Sequence, residues 1–384
     1  MVYYGIDMAA KSRQYDKIFK GRRIGLITNH TGLDSGFRST IDILNQQYRI
    51  TALFAPEHGV RGDVAAGVTV ENTVDPVTGI PVYSLYRKNS KRLTDEMLAE
   101  VDIIVFDIQD VGSRYYTYLY TMLYAMESCA AAGIPFVVLD RPNPLGGEKV
   151  EGNIVHKDYL SFVSGFPLCM RYGLTIGEFA MMANETLHPR ADLTVIRCSG
   201  WKRSMQWPDT GLSWVMPSPN LPSFHSALLY SGTCLFEGTN LSEGRGTTLP
   251  FELIGAPFIT QPVQLADEMN RKRLPGVLFR PVWFTPNVSK HKGLLCGGVQ
   301  IHIMNRYDIR PVQTALTLLY EIRTKYESDF NWCTPLPPAT RPHIELLGGD
   351  GKLTSNTPLD ILLESYHRDE EAFLMKKQAY HLYD

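Results

Sequence analysis

Short apolar runs, each ending abruptly in a polar loop, recur through the first 155 residues. Residues 23–28 (RIGLIT), 50–55, 80–85, 102–107 (DIIVFD) and 135–140 (PFVVLD) read as strands. Those at 102–107 and 135–140 are apolar on successive positions, the pattern of parallel strands covered on both faces. Between them, apolar residues at helical spacing predict helices over 38–47, 94–99 and 116–132, the last closed by Gly133 as a C-cap. Strand, polar loop, helix, strand is the alternation of a doubly wound parallel sheet. The expected fold is therefore α/β, with a Rossmann-like domain over residues 1–155. The loop after its first strand, TNHTGLD, lacks the glycine spacing that cradles a pyrophosphate, which disfavours dinucleotide binding.

From residue 156 the pattern loosens. Helical spacing returns at 174–186, 224–230, 263–271 and 315–326, and again after Thr357, where an N-cap, a proline and Asp360 mark a helix start. Strands are expected at 192–198, 277–284 and 297–304, the last two antiparallel neighbours. Residues 156–384 are thus expected to form a smaller α+β domain that completes a cleft with the first.

The strand ends carry the candidate chemistry, since ligands of open α/β sheets bind outside the carboxyl ends of strands. The run 53–63, LFAPEHGVRGD, leaves a buried strand at Pro56 and presents Glu57, His58 and Arg61. A carboxyl at a closed cleft suits a general acid. The Gly-, Val- and Asp-rich stretch 59–79 is expected to lie over the site as a long loop. Asn29 and His30 follow the first strand. Asp107, Gln109, Asp110, Arg114 and Tyr115 follow the strand at 102–107. A carboxylate ending a buried strand needs a partner, and Arg114 is the expected one for Asp107; alternatively Arg114 binds a substrate carboxylate by its planar fork. Tyr115, Tyr116 and Tyr118 could stack on sugar rings. Arg141 and Asn143 lie in the rigid DRPNP loop. Further along, FEGTNLSEGRGT offers Glu237, Asn240, Glu243 and Arg245 among glycines that let the backbone approach a ligand.

Composition narrows the choice. The chain has 384 residues, a net charge of −2, 44% hydrophobic and 20% charged residues, and a pI near 6.6, the figures of an ordinary globular protein. No basic run interleaved with aromatics points to nucleic acid. The six cysteines are dispersed, without a CxxC pair, and no HExxH, DxDxD, GxSxG or Walker A motif occurs. Neither a metal nor a cofactor is implied. No apolar run is long enough to span a membrane, and no basic stretch followed by an apolar one opens the chain. The expected compartment is the cytoplasm, with the periplasm or the exterior as the alternative where a leader is removed. Carboxylates, arginines and aromatics in a cleft fit glycoside chemistry, which runs on two carboxyl groups without a cofactor.

Six motifs in order, LITNHTG (26–32), FAPEHGVRG (54–62), DIQDVGSRYYTY (107–118), DRPNPLGG (140–147), PSPNLP (217–222) and FEGTNLSEGRGT (236–247), closely resemble the NamZ-type exo-β-N-acetylmuramidase family. The likeness runs on through FRPVWFTP and KHKGLLCGGVQIH. The resemblance implies release of N-acetylmuramic acid (MurNAc) from the non-reducing end of peptidoglycan fragments such as MurNAc-GlcNAc, in cell-wall turnover. It implies a Rossmann-like domain and a smaller one with the cleft between them, and a catalytic glutamate in PEHG, here Glu57. Glu237, Glu243 and Asp110 match family motifs and are the candidates for the second catalytic group. Selecting MurNAc over GlcNAc requires a cation for the lactyl carboxylate, with Arg114 or Arg245 as candidates. Two other readings are a non-catalytic muropeptide-binding module and a metal-dependent hydrolase using Asp107, Asp110 and His58.

Overall fold

The computed structural model describes residues 1–57, 59–61, 72–87, 90–335 and 340–384. His58 and most of the expected long loop lie outside the described residues.

The first sheet has seven strands: β1 (Arg23–Thr28), β2 (Arg49–Ala55), β3 (Thr73–Val74), β4 (Pro81–Ser84), β5 (Ile103–Asp107), β6 (Phe136–Leu139) and β7 (Leu193–Ile196). Their spatial order is β3-β4-β2-β1-β5-β6-β7, and every pairing is parallel except that of β3 with β4. Counting parallel strands alone, this is 3-2-1-4-5-6, the doubly wound order whose switch point lies between the first and fourth.

Period-two alternation explains why both faces are covered. On β5, Ile104 and Phe106 join the cluster holding helices Tyr118–Ala132 and Ile176–Asn184, whereas Ile103 and Val105 join the one holding Gly5–Lys11 and Thr40–Gln47. The helix Tyr118–Ala132 is apolar almost all round because it is buried between the sheet and later elements, and Gly133 ends it at φ 68°.

The expected boundary at 155/156 falls within the span of this sheet. β7 reads correctly as a strand, but it pairs with β6 and belongs to the first sheet rather than to the second half. The Pro- and Gly-rich stretch after β6 hides the next strand–helix–strand unit, since no local pattern marks which sheet a strand joins. A smaller antiparallel sheet, β8 (Leu253–Ala256), β9 (Val277–Phe284) and β10 (Cys296–Ile303), is ordered β8-β10-β9.

The two halves share their cores. The helix Pro311–Lys325 gives Val312 and Leu316 to one cluster and Leu318, Leu319 and Ile322 to the other. The helix Leu359–Lys377 starts one residue later than expected, with Pro358 as its N-cap. After it the chain returns to the first sheet. The Leu382 amide donates to Glu178 at 2.8 Å, the Tyr383 hydroxyl to Asp140 at 2.5 Å, and the Arg203 amide to the Asp384 carbonyl at 2.7 Å.

Candidate active site

An open cleft of about 710 Å³ lies between the carboxyl ends of β2 and β4 and the second half of the chain. Its first wall begins at the end of β2, where the chain turns at Pro56 and Gly59 (φ 77°) and leaves Glu57 half-buried over the cleft. Thr117, the N-cap of the fifteen-residue helix Tyr118–Ala132, donates from Oγ1 to Glu57 Oε2 at 2.9 Å. The carboxylate is therefore held by the side chain at the N-terminal end of a long helix. Tyr86, just past β4, hydrogen-bonds Glu57 as well; burial, helped by that carboxylate, pushes its phenol up to about 12. Lys91 lies with Nζ 3.5 Å over the Tyr86 ring and 5.1 Å from that of Phe162, and burial lowers its pKa against the pull of Glu57.

The floor is aromatic. Tyr115 and Tyr116 meet Tyr230 from the second half edge-on at 6.2 and 6.1 Å, Tyr230 meets Phe251 at 4.8 Å, and Tyr118 packs on Tyr116 at 4.8 Å. Tyr118 donates to the Pro217 carbonyl at 3.0 Å, and the His30 ring meets the Met216 carbonyl at 2.6 Å. These two contacts pin the PSPNLP loop so that Ser218, Asn220 and Leu221 line the cleft.

The opposite wall carries charge. Glu237, on the turn Cys234–Gly238, accepts from Arg245 Nη2 at 2.6 Å. Arg245 Nε lies 3.3 Å from Glu243, which in turn pairs with Lys290 at 2.8 Å. Glu237 and Arg245 are each about one-quarter exposed and line the cleft; the Glu243 side chain is 2% exposed and stands behind them. Burial works to lower the Arg245 pKa, but Glu237 and Glu243 outweigh it and raise it.

Of the residues expected in the site, the structure thus gathers Glu57, Tyr115, Tyr118, Glu237 and Arg245, with Glu243 behind. Others are engaged elsewhere. Arg114 is not the partner of Asp107 and cannot reach a substrate carboxylate: it is fully buried, and its guanidinium donates to the carbonyls of Asn153, Leu168, Leu347 and Gly348 at 2.6–3.1 Å. It thereby caps the last turn of the helix His343–Gly348. Asp107 pairs with Arg141 from the adjoining strand end, Nε to Oδ1 at 2.5 Å and Nη2 to Oδ2 at 2.8 Å, and accepts from Thr40. Neighbouring strand ends are closer in space than residues a loop apart in sequence, which is why the nearer arginine in the chain is the wrong one.

Arg141 and Gln109 border a separate crevice at the switch point, with Tyr4, Asp34 and Trp207. Gln109 donates to the Asp110 and Pro142 carbonyls, and Asn29 accepts from Thr31. Asn143 holds its own turn and the Leu174 carbonyl. Asn240 bonds the main chain of Asp329 and Asn331, and Arg61 pairs bidentately with Asp75. Asp110 is buried behind the tyrosine floor, its Oδ2 accepting from Tyr172 and the Gly112 amide; burial pushes its pKa up to about 7. Among the described residues, no group of three His, Cys, Asp or Glu could hold a metal ion, and no helix is long and apolar enough to cross a membrane.

Tyr86, Phe162, Tyr230 and Phe251 went unread in the sequence. A lone aromatic in a helix or loop gives no local sign that it faces a cleft. The PSPNLP motif was the one available signal for Ser218 and Asn220.

Two family models match the chain: the N-terminal part of exo-β-N-acetylmuramidase NamZ over residues 24–225 and its C-terminal part over 228–383. A peptidoglycan β-N-acetylmuramidase NamZ from Bacillus subtilis (strain 168) is 47% identical, over all of this chain and 91% of its own length. Two crystal structures of DUF1343 family proteins from Bacteroides fragilis are also similar. One has a TM-score of 0.91 at 37% identity, the other 0.77 at 31%, each covering all of this chain and 99% of its own.

Proposed function

The chain belongs to the NamZ exo-β-N-acetylmuramidase family and is a peptidoglycan β-N-acetylmuramidase, and on that footing we propose roles for the residues that line the cleft. The cleft takes the MurNAc unit at the non-reducing end of a fragment such as MurNAc-GlcNAc. Glu57, positioned by hydrogen bonds with Thr117 and Tyr86, protonates the glycosidic oxygen. Glu237, from the facing wall, stabilises the oxocarbenium-like transition state or activates water. The buried tyrosine floor closes the bottom of the cleft beneath the sugar, and the part-buried rings of Tyr86 and Phe162 line its side. Among the described residues Arg245 is the guanidinium that lines the cleft, and we assign to it the pairing with the lactyl carboxylate that distinguishes MurNAc from GlcNAc.

The observation that carries this reading is the juxtaposition in one cleft of Glu57, held by a helix N-terminus, and the Glu237–Arg245 pair across an aromatic floor. The test is release of para-nitrophenol from the β-MurNAc glycoside by wild type and Glu57→Gln, with the β-GlcNAc glycoside alongside. The expected result is turnover of the MurNAc compound alone, falling by roughly 10²–10⁴-fold in the variant. Turnover that survives Glu57→Gln would move the acid role elsewhere. Binding of both glycosides without turnover would favour a muropeptide-binding module.

A further inference from the structure

Arg245 meets two carboxylates, and the two are held differently. Glu243 is buried, keeps a second cation in Lys290, and its main-chain carbonyl accepts from the Phe251 amide. It is the fixed counter-ion. Glu237 is about one-quarter exposed, lines the cleft, and its described ion pair is with Arg245. Its backbone cannot follow a moving side chain: a Cβ on the adjacent Gly238 would lie 2.6 Å from Ile344 Cα, so the turn is wedged against the helix His343–Gly348. Only the Glu237 side chain is at liberty to turn, and the cleft is the space open to it.

We propose that Glu237 is a place-holder on Arg245, which the lactyl carboxylate of the substrate displaces, so that binding the correct sugar swings Glu237 off the arginine and toward the scissile bond. The proposal rests on the muramidase reading given above and adds the means of selection. The exchange is charge for charge. Arg245 loses one carboxylate and gains another, Glu243 and Lys290 stay paired, and no bond is made or broken beyond the hydrogen bonds to Nη2. The other groups facing Glu237 are Tyr230 and Cys234 from the preceding helix and turn, and His343 from the helix behind. Burial raises Tyr230 and Cys234 well above their ordinary values and lowers His343, so neutral forms prevail at neutral pH and none replaces Arg245 as a cation.

A sugar without the lactyl group leaves Glu237 on Arg245, and discrimination then falls on kcat rather than on binding alone. The ion pair also taxes MurNAc affinity, because the competent state is the one with Glu237 turned away. Neutralising Glu237 removes that tax.

The experiment is calorimetric titration of the full chain with free MurNAc, and with GlcNAc as the neutral comparator, for wild type, Glu237→Gln and Arg245→Met. Exchange predicts that Glu237→Gln binds MurNAc roughly fivefold more tightly, with GlcNAc affinity unchanged. On the MurNAc glycoside the same variant lowers KM and kcat together. MurNAc affinity that stays the same or weakens in Glu237→Gln overturns the exchange. Arg245→Met separates the two levels of the argument. A MurNAc preference that survives it refutes the arginine assignment itself, whereas a preference lost there without tightening in Glu237→Gln refutes the exchange alone. Should Glu237→Gln not fold, a crystal of wild type soaked with MurNAc gives the answer. Glu237 turned off Arg245 supports the exchange, and an intact 2.6 Å pair overturns it.

Discussion

Replacing Arg141 with methionine sets two interpretations of the DRPNP loop against each other. As a substrate-binding residue, Arg141 would be needed for affinity and not for folding. In the structure it is 2% exposed and forks onto Asp107, which is 0% exposed, while Nη2 also reaches the Leu33 carbonyl at 2.8 Å. Methionine fills much of the same space but leaves a buried carboxylate that, among the described residues, keeps Thr40 as its side-chain donor. Breaking a buried pair by removing one partner costs about 3–5 kcal/mol. That is a large share of the roughly 5–15 kcal/mol that holds a typical protein folded. At about 2–4 °C per kcal/mol for chains of a few hundred residues, the melting temperature should fall by roughly 6–20 °C. The double variant Asp107→Asn/Arg141→Met buries no unpaired charge and should recover more than about 1 kcal/mol of the loss. Urea and thermal unfolding of wild type, Arg141→Met, Asp107→Asn and the double variant measure this cycle. Below the melting range, the folded Arg141→Met protein should keep KM within twofold of wild type. A variant as stable as wild type but with a raised KM would refute the structural role and restore the binding one.

Two further expectations concern pH. Asp110 has its pKa raised by burial from 3.8 to about 7, so between those values the folded state holds a proton that the unfolded state has lost. Its contribution is complete below pH 3.8 and disappears as pH rises through about 7, a swing of at most about 4 kcal/mol. Asp110→Asn should therefore gain on wild type in urea unfolding as pH goes from 4 to 8; a difference that does not vary with pH would contradict this. Lys377 is lowered by burial from 10.5 to about 7, so the unfolded chain binds the extra proton between those values and wild-type stability should rise over that range. Lys377→Met should flatten that rise, and an unchanged slope would show that another group produces it.

The sheet was legible because buried parallel strands are near-continuous apolar runs: β1, β2, β5 and β6 stand where the pattern puts them, and their loops carry the polar motifs. What stayed hidden is what the pattern does not encode. β7 has the composition of a strand, but its neighbour is chosen by the crossover helix Ile176–Asn184, not by its own residues. Arg114 and Arg141 both follow strand ends rich in polar residues, and only the order of strands in space decides which one meets Asp107. Arg114 closes a helix more than two hundred positions away, a distance at which sequence spacing says nothing. Glu57, Glu237 and Arg245 could be singled out because each lies in a dense polar motif. Tyr230 and Phe251 could not, since aromatics at such positions look like any other core residue.

Residues 382–384 tie the far end of the described chain back into its first half. Asp140 and Glu178 are buried in the first half, yet Glu178 receives a donor from Leu382, 204 positions on, and Asp140 one from Tyr383, 243 positions on. Protein halves emerging from a ribosome commonly settle one after the other. Here the first half alone would leave each carboxylate one donor short, Glu178 keeping Arg203 and the Thr175 amide, and Asp140 keeping the Thr175 hydroxyl and the Gly177 amide. The two stretches that the family models separate at 225 and 228 are thus a boundary of sequence description, while the hydrogen bonding of the first half reaches on to residues 382 and 383.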